Sequence, residues 1–335
     1  MTGATESALV TGGGGFLGAA IVAMLVKEGV RVRTFCRGRY PALAALGVEQ
    51  VRGDLREARA VAAACAGMDV VYHTAAKAGV WGDFDEYAAI NVTGTEHVLA
   101  ACRAHRVKRL IYTSSPSVVF DGRGHAGIDE SVPYPAVQAA PYPATKARAE
   151  QAVVRAGQND LLTVSLRPHL IWGPGDNHLV PGIIRRAGRL KRIGDGTNIV
   201  DTVYIENAAR AHLLAAEKLK ETPALSGNVY FIGQGEPVPL WDMIDRILAA
   251  AGKGPVTGQL SPRTAKLTAA CLEWLYRWLP LPGEPSLTRF MAAELSTDHW
   301  FTIDAARRDL GYEPLVSIEA GLARLARWLQ ENPVC

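Results

Sequence analysis

Apolar residues along this chain follow two different periods. Short unbroken runs of β-branched and aliphatic residues sit at 7–10, 30–36, 48–52, 69–74, 109–114 and 162–167. Between them, apolar positions recur every three or four residues near 15–28, 57–66, 84–105 and 142–156. The runs suit strands buried on both faces, and the spaced patterns suit amphipathic helices. Their alternation predicts a parallel sheet covered by helices on both sides, an α/β doubly wound architecture. After about residue 168 the pattern loosens. A Gly/Pro turn at 173–176 leads to a predicted helix at 179–189, a strand at 200–205 and a helix at 206–219. Beyond 235 the chain reads as mostly helical, with Pro/Gly breaks at 252–262 and 280–285.

Composition narrows the classes without naming one. The 335 residues are 48% apolar and 21% charged, with a formal net charge of +3. That is ample material for a core, and no Lys/Arg stripe points to nucleic acid. Five cysteines, at 36, 65, 102, 271 and 335, lack metal-ligand spacing, and their odd number argues against a disulfide framework. No metal site is expected. The N-terminus enters a strand without a basic and apolar leader, so the expected compartment is the cytoplasm. One segment, 267–281, is apolar enough to raise the question of a membrane. It is too short to span a bilayer, and Glu273 and Arg277 interrupt it. It is expected to be an amphipathic helix over the substrate site or in the second lobe; the alternative is a helix lying in a membrane surface.

The strongest local signal is the loop Thr11-Gly12-Gly13-Gly14-Gly15-Phe16-Leu17-Gly18, between the first strand and the first helix. Gly12 permits a tight turn, Gly15 allows close backbone approach to a pyrophosphate, and Gly18 lets helix pack on strand. The first-turn N–H groups of such a helix are free to bind an anion. A plain flexible turn would lack the flanking strand and helix. The second strand ends Thr34-Phe35-Cys36-Arg37, with no carboxylate for a ribose 2′-OH. Arg37 offers a guanidinium suited to a 2′-phosphate, so NADP(H) is the expected cofactor; the plainer alternative has Arg37 stacking on adenine or facing water. Asp54 is placed either to meet the adenine edge or to cap the next helix. The expected cofactor set is Gly12, Gly15, Phe16, Leu17, Arg37, Asp54 and Leu55, joined by Tyr142 and Lys146. The expected division is a dinucleotide-binding domain over 1–175 that also receives part of 200–235. A smaller, mostly helical substrate lobe takes 176–199 and 236–335.

Tyr142-Pro143-Ala144-Thr145-Lys146 puts a phenol and an ammonium four residues apart on one helical face. A nearby cation favours phenolate and lowers the phenol pKa. Thr113-Ser114-Ser115 closes the fifth strand, whose carboxyl end should open onto the ligand crevice. Ser115 is the expected partner of a reacting oxygen, with Thr113 as the fallback. Together with TGGGGFLG (11–18), HTAA (73–76), NVTGT (91–95), YTSSPSV (112–118), YPATK (142–146) and RPHLIWGPGD (167–176), these residues make the chain similar to the extended short-chain dehydrogenase/reductases. The resemblance implies a Rossmann-type fold with Tyr142 as general acid/base. It implies that Lys146 lowers the Tyr142 pKa and holds the nicotinamide ribose, that Ser115 polarises the substrate oxygen, and that Asn91 supports the site from below.

Longer stretches, 112–122, 167–181, 194–212, 235–241 and 299–314, resemble the 3β-hydroxysteroid dehydrogenase branch. Two groups within it come nearest: bacterial reductases of 2-alkyl-3-keto acids in long-chain olefin synthesis, and sterol-4α-carboxylate 3-dehydrogenases. Residues 75–87 and 281–290 and Arg37 favour the first. The implied reaction is NADP(H)-dependent interconversion of a 3-keto and a 3-hydroxy group β to a carboxylate on a large hydrophobic substrate. His169, Asn177, Lys77 and Arg289 are candidate carboxylate partners, and Trp81, Trp172 and the 267–281 helix are candidate walls of an apolar tunnel. The family resemblance also implies a homodimer formed through helices 84–105 and 142–156, and the olefin-pathway group implies an assembly with other pathway enzymes. The rival readings are a 3β-hydroxysteroid dehydrogenase, a nucleotide-sugar epimerase or dehydratase, and a non-catalytic NADP(H)-binding redox sensor.

Overall fold

A computed structural model describes residues 6–279 and 281–334. Residues 1–5, Pro280 of the expected break and Cys335 lie outside the described residues. Seven strands form the central sheet: β1 (Ser7–Thr11), β2 (Arg31–Cys36), β3 (Glu49–Arg52), β4 (Val70–His73), β5 (Arg109–Thr113), β6 (Leu162–Pro168) and β7 (Asn228–Ile232). They lie in the order β7-β6-β5-β4-β1-β2-β3, every pair parallel. β1 and β4 are buried along their whole length, as their unbroken apolar character requires. The strand order reverses between β1 and β4, and a crevice opens at the carboxyl ends there.

Helices cover both faces. Helix α1 (Phe16–Lys27) buries Ile21, Val22 and Leu25 and ends at Gly29, whose φ of 77° suits glycine. The expected helix at 84–105 runs from Phe84 to Ala104, but a π-helical turn, Ala88–Thr93, interrupts it before α2 (Gly94–Ala104). Helix α3 (Pro141–Gly157) lies against β6. Glu150 of α3 and Arg167 of β6 make a buried two-pronged ion pair, at 2.9 and 2.6 Å, and the Tyr134 hydroxyl donates to Glu150 at 2.6 Å. Removing one member of such a pair costs about 3–5 kcal/mol, because the other charge stays buried. The pair therefore fixes the pitch of α3, and with it Tyr142 and Lys146. Helix α4 (Ile205–Glu221) packs against α1.

The second lobe departs from expectation. Ile199–Val200 and Val203–Tyr204 belong to different sheets, so the strand expected at 200–205 is two. Between them Asp201 is buried and accepts from the backbone N–H groups of Thr202 and Gln234, which turns the chain. The helix expected at 179–189 ends at Arg185, short of Gly188, whose φ is 79°. The region beyond 235 holds helices α5 (Leu240–Ala250), α6 (Pro262–Trp278) and α7 (Ile318–Glu331). It also holds strands that no local period announces. Gly258–Leu260 pairs with Lys191–Ile193, and His299–Phe301 pairs with residues of Ile199–Val200 and His125–Ile128. These are short strands whose partners are remote in sequence. Among the described residues no helix is long and apolar enough to cross a membrane.

Candidate active site

The loop between β1 and α1 is built on contacts that only glycine allows. Gly12 has φ 72°, and a Cβ there would lie 3.0 Å from the backbone of Ala75. A Cβ on Gly18 would lie 2.2 Å from the Gly12 carbonyl oxygen, so α1 sits directly on the turn. A Cβ on Gly14 would lie 2.1 Å from the Tyr40 ring. Gly15 begins α1 without any side-chain cap, and no acidic residue occupies the first turn. The first N–H groups of an uncapped helix lack helical partners and carry partial positive charge.

These groups face a cleft of about 490 Å³ lined by Gly12, Gly15, Phe16, Leu17, Arg37, Asp54 and Leu55, among others. Seven of the nine residues expected to hold the cofactor are thus brought to one space; Tyr142 and Lys146 are not in its lining. Arg37 is exposed and has no ion-pair partner among the described residues. Asp54 is not the cap of the helix Ala58–Cys65, which begins at Glu57 without a side-chain cap. Its carboxylate instead accepts from the Arg56 backbone N–H and pairs with the Arg56 guanidinium at 2.8 Å, which holds it down at about 2. Tyr40, Cys36 and Lys77 also line the cleft. The sequence reading missed Tyr40, whose only signal was its place just past β2. The Gly14 N–H donates to Cys36 Sγ at 3.2 Å.

Tyr142 and Ser115 meet at the carboxyl ends of β5 and β6. The Ser115 side chain lies close enough to the Tyr142 phenol to pull its pKa down, and Ser115 Oγ lies 2.9 Å from Ser117 Oγ. Thr113, the fallback, is committed elsewhere: its hydroxyl pairs with His212 Nε2 at 2.8 Å, on the α4 side of the sheet. Its carbonyl accepts from Lys146 Nζ at 2.5 Å, and the Lys146 ammonium lies 4.1 Å from the Tyr112 ring centroid. Asn91 sits in the π-helical turn and is buried. Its Nδ2 donates to the Lys77 carbonyl and to Thr145 Oγ1, both at 3.1 Å, and its Oδ1 accepts from the Lys77 N–H at 2.7 Å. One side chain thereby ties the loop after β4 to α3, between Tyr142 and Lys146. Widened turns of this kind recur at functional sites.

One expectation is corrected. Lys146 does not lower the Tyr142 phenol in this structure. Loss of hydration pushes it up to about 12, the nearby Ser115 side chain opposes the rise, and the charge of Glu294 adds to it. Burial likewise drives Lys146 down to about 7 against the pull of Glu150. Each shift favours the neutral form, as desolvation does.

A second cavity, of about 870 Å³, opens beside Tyr142 and is walled mainly by aliphatic and aromatic side chains from α5, α6 and the segment 177–193. The two spaces meet at the loop after β4, where Ala78 lines the cleft and Gly79 and Val80 line the cavity. Trp172 lines the cavity and α6 contributes Thr268 and Leu272, whereas Trp81 does not reach it. Of the four candidate carboxylate partners only Asn177 lines this cavity. His169 Nε2 is paired with His299 Nδ1 at 2.7 Å, Arg289 with Glu273 at 2.6 Å, and Lys77 with Glu86 at 3.0 Å. Glu294, which no sequence signal singled out, lines the cavity near Tyr142, and burial raises its carboxyl to about 8.

Residues 9–256 match the 3-beta hydroxysteroid dehydrogenase/isomerase family. The chain belongs to that family. It is an oxidoreductase acting on CH–OH groups, built on a Rossmann-type fold. It is 52% identical to a 2-alkyl-3-oxoalkanoate reductase of Stenotrophomonas maltophilia over 322 residues, covering 95% of this chain and 97% of that protein. A protein of the same name from Shewanella oneidensis is 48% identical, covering 95% of this chain and 85% of that one. Among solved structures, MoeE5 in complex with UDP-glucuronic acid and NAD superposes with a TM-score of 0.75 at 25% identity, covering 98% of this chain and 100% of that one.

Proposed function

We propose that this protein is an NADPH-dependent reductase of a 3-keto group β to a carboxylate on a large hydrophobic substrate, of the 2-alkyl-3-oxoalkanoate class. One observation carries the reading: the Tyr142 phenol stands near Ser115 and near Glu294 of the large apolar cavity, in a chain whose β1–α1 loop opens onto a dinucleotide-sized cleft. The names of the relatives at 52% and 48% identity support the substrate class. Arg37, unpaired at the end of β2, supports NADPH over NADH through its fit to a 2′-phosphate. The uncapped first turn of α1, Gly15 to Leu17, suits a pyrophosphate, and the Gly12 and Gly18 contacts keep the backbone close enough to reach it.

The dinucleotide, when bound, supplies a hydride to the ketone carbon. The rest falls to this chain. Ser115 Oγ–H donates to the substrate carbonyl oxygen and fixes its position. Tyr142 O–H gives its proton to that oxygen as negative charge develops there, so that one hydride and one proton convert C=O to CH–OH. A phenol held up at about 12 is protonated at neutral pH, which is the form an acid needs in the reducing direction. Lys146, one helical turn along α3, is assigned the ribose. The cavity takes the alkyl chains. The same reading keeps a homodimer built on the helices 84–105 and 142–156, a pathway-enzyme assembly and a cytoplasmic site of action.

A substrate panel tests the proposal: 2-alkyl-3-hydroxy acids, a 4-carboxysterol, a 3β-hydroxysteroid and UDP-sugars, each with NAD⁺ and NADP⁺. Turnover confined to the 2-alkyl-3-hydroxy acids with NADP⁺ is expected. Turnover of the sterols or UDP-sugars alone would replace the substrate class, and preference for NAD⁺ would remove the role of Arg37.

A further inference from the structure

Helix α6 turns two unlike faces outward and inward. Its inner face buries Ala265 and Ala269 and lends Thr268 and Leu272 to the cavity wall. Its outer face leaves Leu267, Trp274 and Trp278 at 69%, 61% and 70% exposure, and Leu279 and Leu281 continue the patch. Scattered single apolar residues on a surface need no explanation, but five large ones within fifteen positions do. The one acid of the helix, Glu273, is turned away from this patch and bound to Arg289. The exposed charges beside the apolar residues, Arg263, Lys266 and Arg277, are all positive.

A second, separate group of cations adjoins the helix. Arg185, Arg186, Arg189 and Lys191 are exposed and line the cavity. The strand Lys191–Ile193 pairs with Gly258–Leu260, which leads directly into α6. None of these seven cations has an ion-pair partner among the described residues. Of the acids near them, Glu284 lines the cavity, and Asp195 is bonded within its own turn. Apolar side chains, two tryptophans and unpaired positive charge thus share one side of the molecule, around one cavity.

We propose that this side is a docking surface for an anionic lipid bilayer, with α6 lying in the plane of the headgroups. Trp274 and Trp278 enter the interfacial region, where amphipathic aromatic rings are favoured. The two cation groups meet the anionic headgroups. The cavity behind α6, bounded by Thr268 and Leu272 on its inner face, then lies next to the headgroups, so an amphiphilic substrate has a short path from the bilayer to Tyr142. This last step rests on the hydrophobic-substrate reading above; the docking surface itself does not.

The test uses the full chain and vesicles of phosphatidylcholine with or without phosphatidylglycerol. Co-flotation with the phosphatidylglycerol vesicles, reversed by salt and accompanied by a blue shift of tryptophan emission, is expected. Trp274→Ser with Trp278→Ser, and separately Arg263→Glu with Lys266→Glu, should each weaken flotation by about tenfold or more. Both double variants should keep wild-type turnover of a short, water-soluble 2-alkyl-3-hydroxy acid, which shows that they fold. Equal flotation of wild type and both variants would overturn the proposal, as would no flotation at all. So would a fall in sedimentation mass in the tryptophan variant without vesicle binding by the wild type, which would assign the patch to a second copy. Vesicle binding without any turnover of 2-alkyl-3-hydroxy acids would instead defeat the functional reading and leave the surface standing.

Discussion

The cleft and the cavity touch at one loop, yet they are assembled in opposite ways. The cleft draws its walls from a single stretch between Gly12 and Ile90. The cavity gathers segments scattered from Gly79 to His299. Backbone geometry shapes the first: a left-handed glycine, an uncapped helix start and the ends of neighbouring parallel strands. Side-chain bulk shapes the second, with Trp172, Trp241 and Ile244 setting its walls. A cofactor that does not vary suits a rigid backbone cradle, and a class of alkyl substrates suits a wall that side-chain changes can resize. In the proposed reaction Tyr142 serves both spaces, so substitutions separate them in a graded way.

The largest effect is expected at the shared group. Tyr142→Phe keeps the ring and removes the acid, and should lower kcat by about a thousandfold, in the range general acids contribute. NADPH affinity, followed by fluorescence titration, should change by less than about threefold. Near wild-type turnover would show that the proton comes from elsewhere, and the division between cleft and cavity would lose its meeting point.

Next comes a change confined to the cleft. Arg37→Ala removes a charge-assisted contact worth about 2 kcal/mol, so the Kd for NADPH should rise roughly 30-fold. NADH binding should hardly move. Equal losses for both dinucleotides would mean that Arg37 meets the shared part of the cofactor.

The same contrast explains what could be read from the chain alone. Six of the seven central strands and the glycine loop were legible, because each is a local pattern whose meaning depends on its immediate neighbours. β7 was not, since Val229 to Ile232 pairs with β6 across more than sixty residues of chain and sits where the periodicity had already loosened. In the site, Ser115, Tyr142 and Lys146 come from motifs. Thr113 could be set aside only once its hydroxyl was found on His212. Glu294 carried no signal at all: it lies some 150 residues beyond Tyr142, and the fold alone brings them together. The direction of the phenol shift was missed for a related reason. Spacing shows that a cation is near, but desolvation depends on everything packed around the pair.

A cavity substitution should produce a smaller, chain-length-dependent effect. Ile183 lines the cavity and is half-buried. Ile183→Trp should raise KM for long 2-alkyl substrates by about tenfold, the scale on which an apolar pocket discriminates by size. KM for a short homologue and Kd for NADPH should stay within about twofold of wild type. Uniform loss across chain lengths would show that the alkyl groups lie elsewhere.

The smallest effect separates the two spaces by pH. Glu294 faces Tyr142, and its backbone carbonyl pairs with His299 Nε2 at 2.8 Å. Burial keeps both His299 and His169 below the usual histidine range, so no imidazolium offsets the carboxyl. Glu294 is neutral below about 8 and negative above it. Its ionisation places a like charge beside an acid substrate, so kcat/KM for a 3-keto acid should fall as pH rises through that value. A decline of roughly fivefold is expected for partly screened charges several ångströms apart. Burial lowers Lys146 to about 7, and its titration affects acid and neutral substrates alike. Glu294→Gln should therefore flatten the upper limb for the keto acid and leave the lower one. A neutral ketone of the same chain length should show only the lower limb in both enzymes. An upper limb that survives in Glu294→Gln would assign it to the phenol or the cofactor, and would place the substrate carboxylate away from α3, toward Asn177 and the arginines of 185–189.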